Sequence, residues 1–122
     1  MTTNTQELPR ETWRPYFDEL SKTLGTVEAT VEVVGRDLGA QIEAERLVLA
    51  GISYDDRDDV LVIGLGAPGK PQEDLEHLVD HPRRIMIATS EAPPEEMTID
   101  VEDGEGHKTI VHVERPPALP AG

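Results

Sequence analysis

The first pattern along the chain is an apolar stripe near the N-terminus with the spacing of one helix face. From position 13, apolar residues recur at i, i+3, i+4, i+7 and i+11, which predicts an amphipathic helix over residues 13–24. Thr12 can cap its start and Gly25 can end it in a left-handed conformation. We expect the stripe to face the protein core. Its members are Trp13, Tyr16, Phe17, Leu20 and Leu24.

After Gly25 the apolar positions follow a period of two, which is typical of strands with one buried face. The first such segment alternates valine or alanine with glutamate or threonine, and the later segments are bounded by residues that favour turns. Six strands are predicted in this way. They cover residues 26–34, 41–50, 60–65, 84–89, 97–102 and 107–113.

A second, short helix is predicted over residues 71–80, where Leu75, Leu78 and Val79 are apolar and Pro82 follows. Consecutive strands with short connections favour an antiparallel sheet. We therefore predict an α+β fold with five to six strands and two helices, and a partly closed barrel is the alternative form of the sheet. Residues 9–113 are predicted to form this single domain, between a disordered N-terminus at 1–8 and a Pro-rich, disordered tail at 114–122.

The composition excludes several classes of function. Asp and Glu number 25 against 11 Lys and Arg, and the net charge of -14 opposes binding to nucleic acids or to anionic membranes. Cysteine is absent, which excludes disulfides, thiol nucleophiles and thiolate metal sites. No segment has the apolar length of a signal peptide or a membrane span. We expect a soluble, cytoplasmic protein that binds neither nucleic acid nor membranes.

The segment GLGAPGK, from Gly64 to Lys70, matches two phosphate-binding patterns, G-x-G-x-x-G and G-x-x-x-x-G-K. A P-loop also needs Ser or Thr after the lysine to bind magnesium, and Pro71 stands there. Glu73 and Asp74 would place two carboxylates where the phosphate would bind. We therefore interpret this segment as a surface loop and predict neither nucleotide binding nor a cofactor.

His77 and His81 are four residues apart, so on a helix both imidazoles could bind one metal ion, with Asp74 as a third ligand. The sequence HLVDH lacks the glutamate that follows the first histidine in metalloproteases. A charged histidine near the C-terminus of a helix is also favourable without any metal. We therefore interpret His77 and His81 as solvent-exposed histidines. The alternative is that this pair binds a small ligand or a metal ion.

Several segments of the chain form a specific combination. They are WRPYFD from Trp13, DLGAQIEAE from Asp37, GISYD from Gly51, DDVL from Asp58, HLV from His77 and HPR from His81. Together they resemble an uncharacterised bacterial domain-of-unknown-function family, numbered fifty-three thirty-five. The chain departs from that family at Arg46, where the family usually has a second tryptophan, and in the loop at 64–70, which varies within the family. The resemblance implies a shared fold and no assigned activity.

From these observations we predict a non-catalytic protein that acts through contacts with an unidentified protein partner, or as a homodimer. The alternative is a small-ligand or metal-binding domain that uses the two histidines, and an enzyme comes third. No catalytic residue, metal ligand or cofactor site is assigned. The candidate interaction surface consists of polar and aromatic residues at turns and helix ends that packing does not require. They are Tyr54, Asp55, His77, His81 and Arg84.

Overall fold

The computed structural model describes residues 3–23, 25, 27–35, 39–66, 73–90 and 96–114. Within these ranges the chain forms an eight-stranded antiparallel sheet, one α-helix and one turn of 3-10 helix. The elements in chain order are β1 (Thr3–Glu7), the 3-10 turn (Arg10–Thr12), α1 (Trp13–Thr23), β2 (Glu28–Gly35), β3 (Gly39–Asp55), β4 (Val60–Gly66), β5 (Glu73–Asp80), β6 (Pro82–Ser90), β7 (Glu96–Asp103) and β8 (Lys108–Glu114).

The predicted N-terminal helix is confirmed as α1. Trp13 and Phe17 are buried, and Tyr16 and Leu20 pack against the same core, so the apolar stripe faces inward. Leu24, the last member of the predicted stripe, lies outside the described residues. With 11 residues, α1 is too short to cross a membrane, and no other helix in the described part of the chain could do so.

The predicted α+β arrangement with five to six strands and two helices is wrong. The six strands expected from alternation are present, but residues 73–80 form the strand β5 where a second helix was predicted. Hydrogen bonding to β4 along its length extends this segment, because a neighbouring strand outweighs weak local helix preference. Residues 3–7, predicted to be disordered, form β1 and pair with β6.

The sheet also does not close into a barrel, which was the alternative form expected from the sequence. Its strand order is β1-β6-β7-β8-β2-β3-β4-β5, and the described parts of β1 and β5 do not pair with each other. The tail predicted at residues 114–122 lies outside the described residues beyond Glu114.

A one-residue corner curls the sheet around its core. β5 is the last strand in the spatial order and β6 is the second, yet only His81 separates them along the chain. The sheet must therefore bend until the end of β5 meets the start of β6, and β5 also contacts β7. The inner face of β4 shows the enclosed core most clearly, since Leu61, Ile63 and Leu65 are fully buried.

α1 covers an edge of β3 that β2 leaves open. The pairing of β2 with β3 ends at Glu28 and Val48, whereas β3 continues to Asp55. The hydroxyl of Ser21 in α1 donates a hydrogen bond to the C=O of Ile52 at 2.8 Å and accepts one from its N–H at 3.0 Å. One side chain thus satisfies both backbone groups that a further strand would otherwise pair.

We predict that Ser21→Ala lowers the free energy of unfolding by about 1–2 kcal/mol, because it leaves the N–H and C=O of Ile52 without their partner. Thr23→Ala is the control, since the Thr23 hydroxyl bonds only to carbonyls of its own helix. Urea denaturation followed by circular dichroism would compare the two variants. Equal losses would contradict this role for Ser21.

Candidate functional site

A network of polar and aromatic side chains joins the N-terminal segment, the β3–β4 turn and the β5–β6 corner. Asp59 is at its centre, and its Oδ1 accepts hydrogen bonds from the hydroxyl of Tyr54 at 2.6 Å and from Arg10 at 3.3 Å. The other oxygen, Oδ2, lies 3.2 Å from Nδ1 of His81. Arg10 also donates to the C=O of Pro82 at 2.8 Å. We call these residues, with Trp13, the corner network.

Asp59 and His81 hold each other in a rare backbone conformation. Their φ angles are 54° and 52°, in the left-handed region that is costly for residues other than glycine. The N–H of His81 donates to the C=O of Asp59 at 2.8 Å. Because an ionised carboxylate can only accept a hydrogen bond, Nδ1 of His81 is the donor in its contact with Asp59. Nε2 is then the ring nitrogen left for other partners.

The network changes the pKa of its two acidic groups in opposite directions. The hydrogen bond from Tyr54, supported by His81 and Arg10, lowers the pKa of Asp59 and outweighs the effect of partial burial. Burial raises the pKa of Tyr54, and the hydrogen bond to Asp59 raises it further. At neutral pH the carboxylate is therefore ionised and the phenol keeps the proton that it donates.

Trp13 forms the apolar base of the corner network. The guanidinium of Arg10 lies 4.4 Å from its ring centre, and the ring of Tyr54 meets it edge-on at 5.2 Å. The indole Nε1 donates to the C=O of Leu8 at 3.0 Å. The side chains of the network bond to one another and to the backbone of Leu8 and Pro82, so the network fastens three distant segments together.

β5 presents a free strand edge. In the described part of the chain it pairs with β4 alone. The hydrogen bond from the N–H of His81 to Asp59 continues the register between β4 and β5. Since such bonds alternate along an antiparallel pair, odd-numbered residues of β5 bond to β4 and even-numbered residues face the open side. Glu76, Leu78 and Asp80 therefore turn their N–H and C=O groups outward.

The same strand exposes two large apolar side chains. Leu78 is 55% exposed and Leu75 is 46% exposed. Leu75 lies opposite Leu65 on the inner face of the sheet, and Leu78 lies opposite Val62 on the outer face. Exposed apolar residues on an unpaired strand favour pairing with another extended chain. This free edge is the candidate docking surface.

A groove of about 540 Å³ lies between β5 and the β7–β8 turn. Its described lining contains no Lys or Arg. Imidazoles at positions 77, 81 and 107 contribute to it, and Nδ1 of His107 lies 3.6 Å from Asp103. The groove is thus acidic and borders the free strand edge. Its carboxylates belong to Glu43, Asp80, Asp103 and Glu105.

His77 lies on the inner face of β5, opposite Ile63, and is half-buried. Burial lowers the pKa of His77, although the nearby charge of Glu43 acts in the opposite direction. The imidazole is therefore neutral at neutral pH. It offers the groove a hydrogen-bonding group and no charge.

The helical geometry of the alternative interpretation, in which His77 and His81 share one metal ion, is not formed. Four residues of strand span about 13 Å, in place of the single turn that a helix would provide, and His81 is directed to Asp59. Among the described residues, no group of three His, Asp or Glu side chains is placed to hold a metal ion. Both histidines do line the same groove.

The other candidate surface residues have separate environments. Tyr54 is buried in the corner network. Asp55 caps its own turn, since its Oδ1 accepts the N–H of Arg57 at 2.9 Å. Arg84 lies on β6 and pairs with Glu7 of β1 at 2.9 Å. Whether the five predicted residues act as one interaction surface stays a prediction.

Sequence reasoning missed the free edge of β5 and the partners that hold His81. The alternation of Leu75, His77 and Val79 is the signal that could have revealed the strand. The segment from Gly64, which was interpreted as a surface loop, also differs from expectation. Gly64 and Gly66 are buried in β4, and the next described element is a strand. The described residues on either side, 60–66 and 73–80, contain no helix N-terminus that could bind phosphate. Residues 67–72 lie outside the described residues.

Comparison with known proteins places these features in a family. The model of a family of unknown function (DUF5335) matches residues 4–122. An uncharacterised protein of Aquifex aeolicus (strain VF5) is 40% identical over 116 residues, which cover 95% of this chain and 96% of the relative. No solved structure matches the chain.

Proposed function

The chain belongs to the family of unknown function DUF5335, as the sequence resemblance predicted, and from its geometry we propose that it is a protein-interaction module. The free edge of β5 adds an extended segment of another protein to the sheet. The observation that carries this proposal is an edge strand that, among the described residues, pairs on one side only and exposes leucines on both faces. The predicted non-catalytic role and cytoplasmic location remain part of the proposal and rest on the sequence alone.

The backbone of β5 supports strand addition. Glu76, Leu78 and Asp80 direct three N–H groups and three C=O groups to the open side, and an extended peptide can pair with them. Leu75 and Leu78 add apolar contacts on the two faces. Main-chain hydrogen bonds would supply much of the affinity, and the side chains would supply selectivity.

A different protein fits this edge better than a second copy of the chain. If two copies paired antiparallel about Leu78, Glu76 of one copy would lie opposite Asp80 of the other, twice in each dimer. Like charges directly opposite each other destabilise a strand pair. The net charge of -14 opposes self-association further. The sequence also allowed a homodimer. Pairing of two copies through β5 is one outcome that the peptide titration below can detect.

A panel of three capped heptapeptides tests strand addition. Each alternates valine with lysine, glutamine or glutamate (VKVKVKV, VQVQVQV and VEVEVEV), and each is titrated into ¹⁵N-labelled protein. We expect at least one peptide to shift the amide signals of residues 74–80 and to protect the even-numbered amides from exchange. If no peptide affects β5, or if the protein pairs with itself through β5, the proposal is overturned.

Two substitutions at one position separate the backbone contribution from that of the side chain. Leu78→Pro removes an N–H on the open side and no hydrogen bond to β4, and proline is tolerated on edge strands. We expect it to abolish peptide binding while the fold persists. Leu78→Ala keeps the N–H and should retain weaker binding. Equal binding by both variants would show that the edge is not the docking surface.

A further inference from the structure

On the basis of the strand-addition function proposed above, we propose that the partner segment is basic. Its alternate residues are lysine or arginine, and their side chains enter the groove beside β5. The groove borders the docking edge and is shared with it, since Leu78, Val79 and Asp80 line both. The occupant is thus an extended cationic segment of another protein.

The charge distribution of the groove supports a cationic occupant. Four carboxylates line it, and its described lining contains no Lys or Arg. His77 adds no positive charge at neutral pH because burial lowers its pKa. His107 can neutralise Asp103 and Glu105, at 3.6 and 3.8 Å, only when it is protonated. Bringing cations into this groove relieves the repulsion among its own carboxylates.

The geometry of a strand pair determines which partner residues face the groove. Successive side chains of an added strand alternate between the two faces of the sheet. One set lies on the inner face, beside His77 and Val79, where the groove opens. Val33 and Thr109 contribute to the groove lining and can contact the methylene groups of lysine or arginine, while the charged ends reach the carboxylates of Glu43, Asp103 and Glu105.

The other set of partner side chains lies on the outer face, beside Leu78. This leucine is 55% exposed and is free to contact an apolar residue across the new strand pair. The edge therefore favours a segment in which cations and apolar residues alternate. Such a segment is an ordinary amphipathic strand with a basic face.

Each ion pair at an exposed groove is individually weak and is screened by salt. The selectivity for a basic segment therefore depends on several pairs acting together. We expect VKVKVKV to bind about 10-fold more tightly than VQVQVQV at low ionic strength, which corresponds to about 1.4 kcal/mol. The preference should fall towards unity as sodium chloride is raised to about 0.5 M, where the screening length is about 4 Å.

Two triple variants with the same change in net charge separate the groove from the overall charge of the protein. The first, Glu43→Gln, Asp80→Asn and Glu105→Gln, neutralises three groove carboxylates. The second neutralises three exposed carboxylates outside the groove lining: Glu11→Gln, Asp18→Asn and Glu19→Gln. Isothermal titration calorimetry with the lysine and glutamine peptides measures both.

We expect the groove variant to lose about 10-fold in affinity for the lysine peptide and to bind the glutamine peptide unchanged. The second variant should stay within about twofold of the unmodified protein for both peptides. Equal binding of the two peptides by the unmodified protein, or equal effects of the two triple variants, would overturn the basic-partner inference while leaving strand addition intact. Binding of neither peptide at β5 would instead overturn the proposed function.

Discussion

Replacing Trp13 with alanine is expected to lower the free energy of unfolding by about 3–5 kcal/mol, the largest effect of any substitution considered for this protein. The side chain is 1% exposed, so its removal leaves a cavity at the point where α1 meets the sheet. The substitution also removes the face on which Arg10 rests and the edge contact with Tyr54. Guanidinium denaturation followed by far-ultraviolet circular dichroism measures the loss.

Trp13→Phe is the matched control. It preserves most of the apolar volume but leaves the C=O of Leu8 without the indole donor at 3.0 Å. We expect an intermediate loss, because the missing hydrogen bond costs about 1–2 kcal/mol and the remaining ring still fills the site. An alanine variant as stable as the phenylalanine variant would show that Trp13 does not anchor this junction. Fluorescence is unsuitable, since Trp13 is the only tryptophan in the sequence.

Asp59→Asn is expected to destabilise the protein by about 1–2 kcal/mol at pH 7, because the charged acceptor shared by Tyr54, Arg10 and His81 becomes neutral. The side chain is 34% exposed. Screening by solvent therefore keeps the expected loss of unfolding free energy near the lower end of the range for hydrogen bonds to charged groups. Asparagine tolerates the left-handed backbone as well as aspartate does. The substitution thus changes the charge without adding backbone strain.

The difference in unfolding free energy between the unmodified protein and Asp59→Asn should depend on pH. The pKa of Asp59 is lower in the folded state than its ordinary value near 3.9. Its stabilising contribution is therefore fully present above about pH 5 and is lost as the pH falls through the folded-state pKa. We expect the difference in unfolding free energy between the unmodified protein and Asp59→Asn to be constant from pH 5 to 7 and to shrink below pH 4.

Asp58→Asn provides the comparison for that experiment, because Asp58 is an exposed carboxylate in the same turn. It should change stability by less than about 0.5 kcal/mol at pH 7. A pH-independent difference for Asp59→Asn would indicate that the ionised carboxylate does not stabilise the corner network. A loss for Asp58→Asn of the same size would indicate a general effect of charge in the turn.

The elements that were predictable from the sequence are those whose apolar pattern has a single interpretation. α1 carries apolar residues at helical spacing over three turns, and no alternation competes with it. Residues 60–65 form a continuous apolar run, and β4 is accordingly buried between two neighbours. In both elements, burial in the core determines the structure, and the apolar pattern of the sequence predicts that burial.

The apolar pattern of β5 did not determine whether it is a strand or a helix. Leu75, Leu78 and Val79 fit a helix, whereas Leu75, His77 and Val79 fit a strand, and eight residues are too few to separate the two patterns. The outcome depends on β4, an apolar strand that requires a pairing partner on its open side. That requirement belongs to the preceding strand and is not contained in residues 73–80 themselves.

β1 was missed for a different reason. Its sequence, TNTQE, contains no apolar residue and therefore no hydrophobic pattern. Backbone pairing with β6 holds it in place, together with Leu8, which is buried immediately after the strand and donates its N–H to Ile85 at 2.9 Å. Polar edge strands of this kind are determined by the sheet that they join.

The candidate site was predictable only in part. The sequence singled out Tyr54 and His81 as polar or aromatic residues near turns, but it could not show that Asp59 binds both of them or that Arg10 binds Tyr54 and Asp59. The contacts of Arg10 with Tyr54 and Asp59 join residues 44 and 49 positions apart, and the contact of His81 with Asp59 joins residues 22 positions apart. The docking edge depended on the strand that was predicted to be a helix, so it could not be proposed before the sheet was known.

The pairing of β1 with β6, which sets Thr3 opposite Ser90, has a consequence for biosynthesis. β1 leaves the ribosome before β6 and must wait for it before it can dock. Arg10 likewise cannot donate its hydrogen bond to the C=O of Pro82 until that residue has emerged. Such non-local pairing is slow to form, and during translation the nascent N-terminal segment would remain accessible to chaperones and proteases until most of the polypeptide has emerged.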